Sequence, residues 1–226
     1  MGELLTKFAD VLVNRWDMIM TSLWQHVYIS MTSMLIALCI AIPLGIALTR
    51  RKSIADSAIA FTGIFQTIPS IALFGFLLPI VGIGVKPTII ALVLYALLPI
   101  VRNVYTGIVE VNSSIVDAGR GMGMTDWQIL RIIELPLALP VIMAGVRTAT
   151  ISTIGVTTIA AFVGAGGLGE IIFRGVSMLR TELILAGAIP AALLAILTDF
   201  VLKRVEQRVV PRGMAKKKAP KKASPN

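Results

Sequence analysis

Twenty residues, Asp117–Pro136 (DAGRGMGMTDWQILRIIELP), gather two aspartates, two arginines, a glutamate, three glycines and Trp127 between long uncharged runs. Elsewhere the groups able to do chemistry are sparse. His26 is the single histidine and Cys39 the single cysteine. An internal disulfide, a thiolate metal cluster and a Cys/His nucleophile pair therefore have too few residues to form. With no second histidine near it, His26 reads as an interfacial side chain and not a ligand. Gly164-Ala165-Gly166-Gly167-Leu168-Gly169 formally satisfies G-x-G-x-x-G, but it closes an apolar run instead of joining a strand to a helix, and the expected downstream acid is missing. It reads better as a glycine-rich gate or re-entrant turn built on Gly164, Gly166, Gly167 and Gly169, which needs protein or water cover at membrane depth. No G-x-x-x-x-G-K-[ST] occurs, so ATP hydrolysis is not expected of this chain.

The element carrying the charged segment can be parsed locally. Asn112-Ser113-Ser114 offers a helix N-cap. The helix that follows is weakened at Gly119 and Gly121, by about 1 kcal/mol per glycine relative to alanine, and Gly123 is a natural stop. Thr125 with Gln128 three residues on makes a capping box for a second helix, predicted over Asp126–Leu135 and ending against Pro136. The outcome is a helix–turn–helix loop over 110–136. Small residues there permit close approach by a partner, although a plain solvated loop has the same local pattern.

The rest of the chain must hold this loop in place, and its composition says in what solvent. It is 56% hydrophobic and 15% charged, with mean hydropathy +0.87. Soluble domains carry roughly 25% charged residues, so lipid replaces water around most of the surface. Apolar runs near the ~20 residues needed to cross a bilayer lie at Val27–Thr49 and Ser57–Val85, both uncharged, and at Pro87–Val109, Pro136–Gly164 and Leu183–Leu202, each with a single charge, Arg102, Arg147 and Asp199. Pro69 and Pro79 break the second run. The fold class is thus all-α integral membrane with about five spans, or six if the broken run crosses twice. From Lys203 to the end, nine of the 21 basic residues face one acid, Glu206. The positive-inside rule puts that end and Arg50-Arg51-Lys52 in the cytoplasm, the N-terminus outside, and the charged loop inside. Residues 1–22 read as an amphipathic helix in the headgroup plane, on Leu4, Leu5, Phe8, Val11, Leu12, Trp16 and Ile19. Residues 23–205 form the membrane domain. Residues 206–226 read as a disordered basic tail attracted to anionic lipid, with no nucleic-acid role.

In sequence, Asp117-Ala118-Gly119, then Gly123, then Ile133-Glu134-Leu135-Pro136 resemble the signature of binding-protein-dependent ABC importer permeases (E-A-A, three residues, Gly, nine residues, Ile-x-Leu-Pro). Asp117 is shorter than the usual Glu, and Gly119 replaces Ala. IFQTIPSIALFGFLLPIVGIG and GVRTATISTIGVTTIAAFVGAGGLGEIIFRG further resemble the osmoprotectant branch, importers of glycine betaine, carnitine and choline, with the methionine-importer type a near relative. The resemblance implies a plasma-membrane permease with no cofactor or metal of its own. It would pair with a second permease subunit, identical or homologous, dock a cytoplasmic ABC ATPase dimer that binds ATP and Mg, and receive substrate from an extracellular binding protein. Asp117, Ala118, Gly119, Gly123, Trp127, Leu135 and Pro136 would then form the ATPase-coupling helix and its root.

For the path through the membrane the candidates are Gln66 and Thr67, beside the Pro69 break, and Thr150, Thr153 and Thr157, which share one face of the fourth span. Broken helices free backbone groups for substrate, while Ser and Thr hydroxyls equally bond their own helix and serve packing. Arg102 and Arg147 lie near the inner ends of their spans, where snorkelling suits them. An ion-gradient-driven carrier or channel would want a carboxylate in mid-span, and none is present.

Overall fold

A computed structural model describes residues 2–209. Ten α-helices follow in order: α1 (Gly2–Asn14), α2 (Trp16–Arg50), α3 (Lys52–Thr67), α4 (Ser70–Val81), α5 (Val85–Val109), α6 (Ser113–Gly121), α7 (Asp126–Gln128), α8 (Leu135–Thr157), α9 (Leu168–Ser177) and α10 (Thr181–Val209). A π-helical turn, Ile129–Glu134, joins α7 to α8, and a 3₁₀ turn, Ile159–Val163, follows α8.

Four helical stretches, Trp16–Arg50, Val85–Val109, Asp126–Thr157 and Thr181–Arg208, are long and apolar enough to cross a membrane. The α3–α4 pair, bent by 95° at Ile68–Pro69, makes up to a fifth span. At 1.5 Å rise per residue α3 reaches ~24 Å and α4 ~18 Å, so neither half crosses a ~30 Å hydrocarbon layer alone. That length argument favours five spans over six.

The core lies where α2, α5 and α8 meet, around Ala37, Ala41, Ile100, Val101, Val104, Ala138 and Ala149. Lipid supplies no hydrophobic drive between helices, so close backbone approach through small residues takes over. A Cβ at Gly45 would lie 2.7 Å from Val104, and one at Gly145 would lie 2.7 Å from the Pro99 carbonyl. Arg147 does not snorkel alone. It reaches α10, 3.5 Å from Asp199 and 3.7 Å from Glu206, and so staples the fourth span to the last.

Three expectations change at the ends. The amphipathic pattern of residues 1–22 is split: α1 stops at Asn14 and α2 starts at Trp16, so Ile19 already belongs to the first long helix. Val11 and Ile19 are buried with Leu168, Ile171, Leu183 and Ala186, so part of that apolar stripe is covered by protein. His26 is not interfacial but fully buried. At the other end α10 stays helical to Val209, past the expected start of the tail at 206, and the tail from 210 lies outside the described residues.

Candidate functional site

Asn112 caps α6, its side chain accepting the Ser114 amide at 2.9 Å. The helix closes in a Schellman pattern: the Gly123 amide bonds the Arg120 carbonyl at 2.9 Å and the Met124 amide bonds the Gly119 carbonyl at 3.1 Å. Gly123 sits at φ +82°, a conformation other residues reach only with strain. Thr125 and Gln128 form the capping box in both directions. Gly119 is buried, and a Cβ there would come within 2.8 Å of Ile133 Cδ1 and 3.3 Å of Met124 Sδ. The glycine in place of alanine thus lets α6 lie closely over the second helix.

That second helix does not end at Pro136. It runs on into α8 through the π turn, in which the Leu135 amide bonds Leu130 five residues back. Pro136, lacking an N–H, sits in the first turn of α8, directly after the widened ladder of the π turn. Leu135 and Pro136 are half-buried at the root. Asp117, Ala118 and Gly123 are exposed, as are large apolar side chains of the same segment, most of all Met122 (76%), Trp127 (66%) and Ile132 (61%). Arg120 and Asp126 approach to 3.8 Å across the turn while both remain largely in solvent, so the contact adds little stability.

Glu134 is the residue that the motif spacing passes over. It is 6% exposed, and both its oxygens meet Arg50 at the end of α2, Oε1 at 3.3 Å from Nη1 and Oε2 at 2.5 Å from Nη2. The sequence signal was a lone carboxylate between Ile133 and Leu135 with an arginine at the end of another span. Beside the pair is a cavity of about 370 Å³, bordered by Lys52, Asp117 and Arg120.

At the opposite end of α8 the Thr158 amide turns to the Gly155 carbonyl at 3.2 Å, tightening the last turn. Ile154 O instead receives His26 Nε2 at 3.1 Å, which makes Nε2 the protonated nitrogen and leaves buried Nδ1 without a partner. Gly164, Gly166 and Gly167 all have positive φ. The Gly167 amide donates to Gln25 Oε1 at 3.1 Å, and the Gly84 amide to Val163 O at 2.8 Å. At Gly169 a Cβ would fall 1.9 Å from the Thr158 carbonyl, so α9 can seat there only as glycine. A cavity of about 600 Å³ opens here, lined by Gln25, Gly164, Gly166 and Phe173, with Arg174 paired to Glu170 at 2.5 Å.

Thr150, Thr153 and Thr157 do share a face, and α2 fills it. Thr150 and Thr157 donate to their own helix, at Val146 and Thr153, while Thr153 meets Met34 Sδ at 3.5 Å and Thr157 meets Ser30 Oγ at 3.1 Å. Within this chain Thr153 and Thr157 reach across to α2, while Thr150 bonds only its own helix. Gln66 and Thr67 remain exposed at the bend. Gln66 Nε2 donates to Tyr95 O at 2.9 Å and the Tyr95 hydroxyl donates to Ile68 O at 2.5 Å, a reciprocal clasp that satisfies the carbonyl freed by the break. Thr67 bonds Ile64 O.

Long apolar helices, a sharply bent helix pair among them, and a helix–turn–helix loop define a multi-pass membrane protein of the permease class. The chain belongs to the binding-protein-dependent transport system inner membrane components, whose family model matches residues 41–211, and is the permease subunit of an ABC importer. It is 47% identical over 190 residues, 84% of this chain and 88% of the relative, to the glycine betaine/carnitine/choline transport system permease protein OpuCB of Bacillus subtilis. The carnitine transport permease protein OpuCD of Listeria monocytogenes is 45% identical over 92% of this chain and 94% of its own. In three dimensions it resembles the MetNI methionine ABC transporter in an inward-facing conformation, with TM-score 0.77, 26% identity and coverage of 86% of this chain and 97% of that one.

Proposed function

We propose that this permease carries quaternary-amine compatible solutes (glycine betaine, carnitine, choline) inward, by alternating access driven from the 110–136 loop. The substrate class rests on the relatives: osmoprotectant permeases 42–47% identical over most of the chain, against 26% for the methionine transporter. A methionine-type substrate is therefore the second reading.

One observation carries the mechanism. The loop is rigidly capped, yet it leaves Met122, Trp127 and Ile132 exposed in the same segment as Asp117 and Ala118, the arrangement of an element that seats in a groove of another protein. The occupant is an ABC ATPase dimer in the cytoplasm, with the N-terminus outside and the basic C-terminal end inside a bacterial plasma membrane. A second permease subunit, identical or homologous, completes the path, and an extracellular binding protein supplies substrate. ATP closes the ATPase dimer, the loops are drawn together and the spans turn outward; hydrolysis reverses this. Catalysis stays with the ATPase. Gln66 and Thr67 at the bend are the path candidates, and Gly164–Gly169 the outer gate.

Uptake of radiolabelled glycine betaine, carnitine and choline by cells carrying the whole system tests both halves, with Gly123→Asp compared after checking that the variant reaches the membrane and assembles. Uptake by wild type and its loss in the variant is the expected result. No uptake of any of the three removes the osmolyte reading, and normal uptake without an ATPase removes the coupling.

A further inference from the structure

We propose that Arg50 and Glu134 form a rigid joint that keys the coupling loop to the first span, so that one stroke of the loop turns α2 and α8 as a single body. The inference rests on the proposed function in taking the loop as the driven element. Three observations lead to it.

The first is where the carboxylate sits. On its helix Glu134 has Leu130 one turn before and Ala138 one turn after, both buried. An apolar side chain would satisfy that face at no desolvation cost. The carboxylate is buried while the Arg50 side chain stays 40% exposed, so removing the arginine leaves a buried charge unpaired whereas apolar residues at both places do not, and the best-attested use of such a pair is to fix register. The second is geometry. Both Arg50 nitrogens engage both Glu134 oxygens, a fork that fixes direction as well as distance, where a lysine would supply only a point charge.

The third is the π turn over Ile129–Glu134, which ends on this residue. A π turn accommodates one extra residue. Since each residue of an α-helix turns the chain by ~100°, the extra residue resets how α6 and α7 face relative to α8. Such a turn is a place where a helix can slip back to α geometry, and π turns gather at functional sites. Glu134 is tied to a different span at that slippage point, so the phase of the loop relative to the bundle is held from outside the helix. The neighbouring charges, Lys52, Asp117 and Arg120, border the adjoining cavity and leave the fork to Arg50. Arg50 and Glu134 are thus positioning residues: they meet each other across the end of α2 and the π turn, with the Glu134 side chain buried and that of Arg50 40% exposed.

The test uses the intact importer in proteoliposomes with its ATPase, its binding protein and glycine betaine. The readout is substrate imported per ATP hydrolysed, which a mere loss of folded protein would not change. Glu134→Gln and Arg50→Gln are expected to hold the ATPase and hydrolyse ATP while importing about tenfold less per ATP, in the range by which residues along a coupling network alter it. The reversed pair, Arg50→Glu with Glu134→Arg, is expected to recover most of the ratio. A wild-type ratio in both single variants overturns the joint. Should the single variants not survive extraction, the reversed pair decides: recovery supports the joint, and an assembled but uncoupled transporter overturns it. A second readout needs no transported substrate. Spin labels at Ala47 on α2 and Ser114 on α6 are expected to keep one distance with and without ATP in wild type, and to shift or broaden in Glu134→Gln. Equal behaviour of wild type and Glu134→Gln overturns the joint. Failure of wild type to import quaternary amines while this difference persists would overturn the substrate reading alone.

Discussion

The two ends of α8 are built from the same materials and finished in opposite ways. Each has glycine at positive φ, Gly123 at one and Gly164, Gly166 and Gly167 at the other, and a turn that departs from α geometry, π at the first and 3₁₀ at the second. At the Gly164–Gly169 end every tight spot is filled by the chain itself: Thr158 O under Gly169, Gln25 on Gly167, His26 on Ile154. At the 110–136 end the chain caps its own backbone and then stops, leaving open space around Gly121 and Gly123 and three large apolar side chains in solvent. One end closes on its own groups at these points, around a cavity of about 600 Å³; the other is capped only in its backbone. Glycine by itself does not tell the two apart. What a Cβ would meet separates Gly169 from Gly121 and Gly123, while Gly119 is covered by Ile133.

Substitutions can break that contrast, and the largest effect belongs to the filled end. Gly169→Ala drives a methyl group into the Thr158 carbonyl. It is expected to cost about 3 kcal/mol, the upper end of the usual overpacking range, read as a drop in Tm and yield of the detergent-solubilised protein. Next comes Trp127→Ala at the open end. Solubilised stability should stay within about 0.5 kcal/mol of wild type, as for surface sites. Affinity for the ATPase should fall by about 2 kcal/mol, roughly 30-fold, if Trp127 behaves as an interface hot spot. Titrating purified ATPase onto the permease checks it, and unchanged affinity would remove Trp127 from the interface. His26→Phe keeps a ring but removes the donor to Ile154 O. Leaving that buried carbonyl unpaired is expected to cost about 1–2 kcal/mol, read in the same melting assay. Smallest is Gly121→Ala, which has room for its methyl. The free helix should gain about 0.5–1 kcal/mol. Transport that falls while Tm rises would mean that the open space belongs to a partner.

Legibility in the sequence followed range along the chain. The cap at Asn112, the stop at Gly123 and the Thr125–Gln128 box are interactions across two to five residues, and they stand as read. The spans were legible from composition, because lipid imposes a length on apolar helices. The expected end at Pro136 is not an end: the helix continues through the π turn, whose widened ladder admits a residue without an N–H directly after it, in the first turn of α8. His26 is buried for a longer-range reason. Its partner is a carbonyl 128 residues away that became free when α8 tightened. Glu134 needed Arg50, 84 residues away, to acquire a meaning. The threonine face illustrates the same limit, since its periodicity said which residues share a side but not that α2 occupies it.

The bent pair has one further consequence, for the response to the membrane itself. With 35 residues, α2 measures ~52 Å, a rod with ~22 Å to spare beyond the hydrocarbon layer. The legs of the α3–α4 pair, ~24 Å and ~18 Å at nearly a right angle, reach only ~30 Å end to end and so have no slack. The uncharged part of that rod, Val27–Thr49, reaches ~34 Å, so α2 meets a modest change in bilayer thickness by tilting. Against the bent pair the same change acts as a torque about Ile68–Pro69, resisted by the Gln66–Tyr95 clasp.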